Sequence, residues 1–294
     1  MRVTTQTACQ DYPREWLRKI YTFESASLFN VSALRLRTDF YAGDMAVPKA
    51  AKMKLFAIFA VFALIAVAAY SAFIWKYSEG KLRRLTPNCE ALASAAKTKF
   101  QSQKITPDIL LIGDSRISEW PNSTWATLSS AQILNLGVSG ESSRETFCRA
   151  LGIAPLVESR KVIIQTGIND LVAASLLMPQ IHKATRVDVE NAVVDNIVKA
   201  HALFNPKNDV YVLSIVPPIN KDLFRTIVWG GGIEQSAAAV TANLSAQELE
   251  LLDIRTLFKN EGSGWKVDFS RDALHWNALG YEELTKFVLQ KMDL

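Results

Sequence analysis

Followed by its apolar positions alone, the chain changes texture three times. Residues 1 to 54 mix Trp, Arg, Tyr and Ser with no sustained period. From Leu55 to Trp75 comes LFAIFAVFALIAVAAYSAFIW, 21 residues without a charge, which is the length a helix needs to cross a bilayer. A helix on the surface of a soluble domain would carry a polar stripe, and this run has none, so the other reading is a fully buried core helix. Lys52 and Lys54 precede it, Lys76 comes directly after it, and Tyr70, Trp75 and Tyr77 fall where an aromatic interface belt would lie. The pattern predicts a single transmembrane helix over 55–75.

Flanking charge does not orient that helix, because five Lys or Arg residues occupy the twenty positions before it and four the twenty after. Met45 and Met53 stand just ahead of the run. A start at Met53 would leave a short basic region before a long apolar one, the layout of a signal anchor inserted with its carboxyl end outside. Residues 1–54 then form an N-terminal tail whose part before the true start, at Met45 or Met53, is left by an upstream start, and the chain beyond the anchor is expected to be extracytoplasmic, in the periplasm or outside the cell. Ala66, Val67 and Ala68 resemble a cleavage site, but the apolar run continues to Trp75, which favours retention.

Beyond the anchor, residues 76–104 read as a stalk. Thr86 and Pro87 look like an N-cap and a proline at the first helical position, opening a helix to about residue 103. From 105 to 294 the texture becomes short apolar runs separated by helical patterns: ILLIG (109–113), QILNLG (132–137), KVIIQTG (161–167), DVYVLSIV (209–216) and LELLDI (249–254). Strands that are apolar throughout and alternate with helices indicate a parallel sheet covered on both faces. The fold class expected is therefore α/β, a three-layer α/β/α sandwich on a five-stranded flavodoxin-like parallel sheet. Val193, Val194, Ile197, Val198, His201 and Phe204 mark the buried face of one covering helix. Asn277 caps the last, which carries Leu284, Phe287, Val288 and Met292 on one side.

Composition narrows the function classes. A net charge of +4 with dispersed Lys and Arg argues against nucleic acid as a partner. Cys9, Cys89 and Cys148 form no CxxC pair and have no histidine at zinc spacing, so no metal site is expected. They are expected as free thiols, with a Cys89–Cys148 pair left open in an oxidising compartment.

In an open parallel sheet, reactive groups collect where strands end, beside the point where strand order reverses. The first strand ends in Gly113 Asp114 Ser115, the second in Asn135 Leu136 Gly137 and the third in Gly167 Ile168 Asn169 Asp170. With strand order 2-1-3-4-5 those ends are neighbours, bringing together a hydroxyl, a backbone amide that glycine leaves accessible, and a carboxamide. Acyl transfer needs that set: a nucleophile, and donors aimed at the oxyanion. A base is also required, and the chain has three histidines. His182 lies in a polar segment and His201 on an apolar stripe. His275 comes three residues after Asp272, so the carboxylate can fold back on the imidazole and fix its tautomer.

Taken singly, each element has a structural reading: Gly Asp Ser is ordinary turn chemistry, Asn169 and Asp170 suit a helix cap, and Asp272 could hold a surface histidine. Together, in this order on these strand ends, they resemble the SGNH or GDSL hydrolase family over residues 108 to 294. The resemblance implies Ser115 as nucleophile, Ser115, Gly137 and Asn169 as the oxyanion hole, and His275 with Asp272 as base and orienting acid. It implies an esterase acting on acyl esters (short-chain, acetyl or lipid), with no cofactor. Arg116 stands where the namesake motif has leucine, so it is expected either to face an anionic substrate group or to be solvated. Two further segments stand beside these motifs: Ser139 to Ser143, which would shape the pocket floor or cap the next helix, and Trp229 to Gly232, either a flap over the pocket or a surface turn. Two other functions remain open, an O-acyltransferase acting on cell-envelope glycans and a tethered binding module without catalysis.

Overall fold

In the computed structural model, residues 49–85, 87–176, 183–219, 232–260 and 264–294 are described. Two compact units divide between Lys76 and Tyr77. Helix α1 runs Lys49–Leu85, and within the first unit its stretch Phe56–Phe73, with mean hydropathy 2.4, is long and apolar enough to cross a membrane.

The second unit is built in chain order from α2 (Cys89–Ser102), β1 (Ile109–Gly113), α3 (Ser115–Ser118), α4 (Asn122–Leu128), β2 (Ile133–Asn135), α5 (Ser143–Ile153), β3 (Lys161–Gln165), α6 (Ile168–Leu176), α7 (Lys183–Phe204), β4 (Asp209–Leu213), α8 (Ile233–Ser245), β5 (Glu250–Leu252), α9 (Arg255–Phe258) and α10 (Ala278–Lys291). The five strands form one sheet in the order β2-β1-β3-β4-β5, parallel throughout, with Ile109 facing Ile133 on one side and Lys161 on the other. All five apolar runs form strands, each starting within one residue of its run and ending up to three residues sooner where the chain peels off toward a loop.

Alternation along the strands feeds two cores. Ile109, Leu111, Ile163, Leu213 and Leu252 join Trp120, Trp125, Trp276, Tyr281, Leu284 and Val288 beneath α4, α9 and α10. Leu110, Ile112, Val162 and Ile164, all buried, face the opposite layer, where α5, α7 and α8 pack. His201 is buried there, as its stripe predicts.

Two expectations need correction. The helix after the anchor starts at Cys89 and is capped by Asn88, whose side chain accepts the Ala91 N–H, while Pro87 stands outside it and Thr86 lies outside the described residues. Nor is this helix a bare spacer: it lies along α5, with Gly152 admitting the Ala93 backbone where a Cβ would collide at 2.0 Å. Cys89 and Cys148 are joined in a disulfide with Cα atoms 4.8 Å apart, so they are not free thiols. Two facing helix surfaces at that separation satisfy disulfide geometry. Sequence spacing alone could not show the contact.

Candidate active site

β1 ends at Gly113 and the chain turns at once into α3. Asp114 caps this helix, its Oδ1 accepting the Arg116 N–H at 3.0 Å, so Ser115 is the first helical residue and its N–H belongs to the orphan donors of a helix start. The Ser115 hydroxyl oxygen lies 2.9 Å from His275 Nε2. His275 sits in the turn just before α10, and its Nδ1 is 2.9 Å from Asp272 Oδ2 and 3.0 Å from Oδ1. The same carboxylate accepts the N–H groups of Leu274 at 2.8 Å and of His275 at 3.0 Å. One side chain thus closes the turn and aims the ring. Burial works to raise the Asp272 pKa, but those N–H donors and the imidazole outweigh it and hold the carboxyl well below the usual carboxylate range. An ionised Asp272 calls for the proton on Nδ1, which leaves Nε2 as acceptor for the Ser115 proton.

On the other side of Ser115 stand the ends of β2 and β3. Asn169, in the first turn of α6, is buried, and its Nδ2 donates to the Glu141 carbonyl at 3.0 Å. Gly137 answers to a different demand from the one expected. Its N–H donates to Asn135 Oδ1 at 2.9 Å, and a Cβ there would meet Ser118 N at 2.2 Å; it is glycine so that the loop can cross the end of α3. Three residues on, Gly140 takes a left-handed φ of +74°, and its N–H meets no acceptor among the described residues. Ser139 to Ser143 proves to be both loop and cap. Ser142 forms a reciprocal capping box with Glu145 at the head of α5, and its hydroxyl donates to the Arg84 carbonyl at 2.6 Å. Arg84 Nη1 in turn reaches the Ser139 carbonyl at 3.3 Å.

Behind this loop lies a polar network. Arg149 holds both Glu141 carboxylate oxygens at 2.8 and 2.9 Å and donates to the Leu136 carbonyl. Asp170 accepts the Ser143 N–H and hydroxyl, each at 2.8 Å. Burial pushes the Asp170 carboxyl up to about 7 and raises Glu141 likewise against the pull of Arg149. Among the described residues no group of three or more His, Cys, Asp or Glu side chains is arranged to hold a metal ion. A cleft of about 700 Å³ lined by His201, Asn205, Asn208, Tyr211 and Glu248 opens where β4 and β5 begin, the opposite end of the sheet from Ser115.

The sequence profile of the GDSL-like Lipase/Acylhydrolase family matches residues 111–283. The chain belongs to that family. It is accordingly a serine hydrolase acting on ester bonds. A GDSL-like lipase from Bacteroides thetaiotaomicron superposes with TM-score 0.52 at 16% identity, covering 69% of this chain and 98% of its own. A Streptococcus pneumonia protein provisionally named a platelet activating factor superposes with TM-score 0.54 at 20% identity, covering 78% and 98%. At such identities these likenesses speak for the fold. No curated protein matched the sequence.

Within this GDSL-family chain, Arg116 departs from both expectations attached to it. It is neither solvated nor facing a substrate: it is 1% exposed, with its guanidinium stacked 5.1 Å from the Trp276 ring centre. Glu119 belongs to none of the motifs, yet its Oε1 lies 3.8 Å from His275 Nε2 and its Oε2 pairs with Arg271 at 2.9 Å. Its place four residues after the nucleophile, one helical turn on, is the signal in the sequence that points to it. His182 and Trp229 to Gly231 lie outside the described residues; Gly232 ends as the residue that opens α8.

Proposed function

We propose that this GDSL-family chain is a membrane-anchored esterase that hydrolyses short-chain, acetyl or lipid acyl esters, with Ser115 as nucleophile, His275 as base and Asp272 as its orienting acid. The observation that carries the reading is the continuous line of contacts from Ser115 Oγ through His275 to Asp272, 2.9 Å on each side of the imidazole. His275 Nε2 takes the Ser115 proton as Oγ attacks the ester carbonyl. The developing oxyanion is received by the Ser115 and Gly140 N–H groups and Asn169 Nδ2; Gly140 stands in for Gly137, whose N–H already serves Asn135. Collapse expels the alcohol, which leaves with the proton from His275. Water, deprotonated by the same nitrogen, then releases the acid and restores Ser115.

In this reading residues 55–75 span the membrane, 1–54 precede it, 76–104 lead from it, and 105–294 carry the chemistry on the extracytoplasmic side. The Cys89–Cys148 bond supports that side, because disulfides persist in oxidising compartments. A fluorophosphonate probe that cannot cross membranes, applied to intact and to broken cells, tests chemistry and topology together. Intact cells are expected to label, and Ser115→Ala to lose labelling and roughly 10⁴-fold or more of short p-nitrophenyl ester turnover. Near wild-type turnover in that variant would sink the site, and labelling confined to broken cells would sink the topology.

A further inference from the structure

The residue after the nucleophile joins three separate pieces of chain. Arg116 Nε donates to the Leu274 carbonyl at 2.8 Å and Nη1 to the Val216 carbonyl at 2.5 Å. Its own carbonyl accepts the Tyr281 hydroxyl of α10 at 3.0 Å. Leu274 stands between Asp272 and His275. Val216 lies just past β4, and that segment is tied to the same turn a second time, Ile219 N–H donating to the Ala273 carbonyl at 2.9 Å. Ser115 and the Asp272–His275 turn come from opposite ends of the domain sequence, and their relative placement decides whether Oγ and Nε2 meet. Besides the Ser115–His275 contact itself, the polar links from this helix to the turn among the described residues are Arg116 to Leu274, the Glu119–Arg271 pair and the 3.8 Å approach of Glu119 to His275, both Glu119 contacts being partly exposed. Arg271 is half exposed, so Arg116 supplies the buried link.

A leucine here would fill space beside Trp276 but offer no donor. Burying a guanidinium is expensive unless its hydrogen bonds are well made, and two of its three nitrogens are spent on carbonyls of the loops that frame the histidine. We propose that Arg116 is a positioning residue: it fixes the Asp272–His275 turn against α3, so that the Ser115–His275 hydrogen bond is formed before substrate arrives. The inference rests on the assignment of Ser115 and His275 above.

Arg116→Leu and Arg116→Lys in the full chain, purified in detergent, test it with p-nitrophenyl acetate turnover, fluorophosphonate labelling rate and thermal midpoint. Displacing a reacting group by an ångström costs on the order of 10²-fold, so Arg116→Leu is expected to lower kcat by roughly that factor. KM should stay within about twofold, and labelling should slow in parallel. Lysine, able to reach one carbonyl, should recover about tenfold of the loss. If Arg116→Leu keeps kcat within about threefold, or raises KM with kcat unchanged, the proposal is overturned. It is equally overturned if activity merely tracks the folded fraction and lysine does no better than leucine. Should the leucine variant fail to fold, the lysine variant decides by the same split of kcat against KM. A parent chain that neither labels nor turns over ester would instead refute the esterase reading.

Discussion

On one side of Ser115 the chain needs only four consecutive residues, Asp272 to His275, to bring the proposed acid and base together, with Arg116 hydrogen-bonded to the Leu274 carbonyl of that turn. On the other side it draws Gly140 from the loop after β2, Asn169 from the start of α6, and Glu141, Arg149 and Asp170 behind them. The first wall is local and closes on itself: the carboxylate that orients the imidazole also takes the two N–H groups of its own turn. The second is assembled over distance, with Asn169 and Glu141 twenty-eight residues apart and Ser143 and Asp170 twenty-seven. A local motif can be read from spacing. A wall built by the fold shows only its ingredients.

The largest effect expected is on the local wall. His275→Ala should lower kcat on a p-nitrophenyl ester by about 10⁴-fold, whereas Asn169→Ala, removing one proposed oxyanion donor, should cost about 10²- to 10³-fold. Equal losses would erase the distinction between the two walls.

A sharper test lies within the distant wall. Gly137→Ala should act on folding rather than chemistry, since its Cβ would stand 2.2 Å from a backbone nitrogen; a loss of roughly 2 kcal/mol or more is expected, read as a fall in thermal midpoint. If the variant is as stable as the parent but slow, Gly137 belongs to the oxyanion hole after all.

The smallest effect concerns pH. A carboxyl whose folded pKa is raised, as at Asp170 to about 7, binds its proton more tightly in the native state, so stability falls as pH rises from about 4 through 7. Asp272 has the opposite sign: its stabilising contribution, full above the ordinary carboxylate pKa, is lost only as pH falls below that range. The thermal midpoint is therefore expected to rise as pH falls from about 8 to about 6, and Asp170→Asn to make that rise shallower, leaving the part that Glu141 contributes. An unchanged slope would show that Asp170 is ionised in the folded chain.

These contrasts explain what could be read in advance. Strand positions were legible because five apolar runs fit a parallel sheet and little else, whereas the order 2-1-3-4-5 entered as a flavodoxin-like condition that the runs themselves do not dictate and that the sheet adopts. Asp272 and His275 were legible because their relation is confined to one turn. Gly137 alone was read as an oxyanion glycine and Gly140 only as part of the Ser139 to Ser143 segment, because which N–H Asn135 consumes and which loop crosses α3 are facts of tertiary contact. Arg116 misled for a related reason. A charged side chain beside an active serine reads as surface or substrate contact, and only the convergence of Leu274 and Val216 carbonyls makes a buried guanidinium tolerable. The cysteine pair was hidden in the same way, by the approach of α2 to α5.

That pair has a mechanical consequence. Cys89 and Cys148 are 59 residues apart, and between them run β1, Ser115, β2 and the Gly140 loop, so the proposed nucleophile rides on a closed ring of chain. The exposed turn at Lys104, between α2 and β1, lies inside that ring. A protease that cuts there severs the backbone without releasing the domain from the apolar helix, because the sulfur bridge remains as a second covalent route. Release by a cut at that turn would take reduction as well as proteolysis.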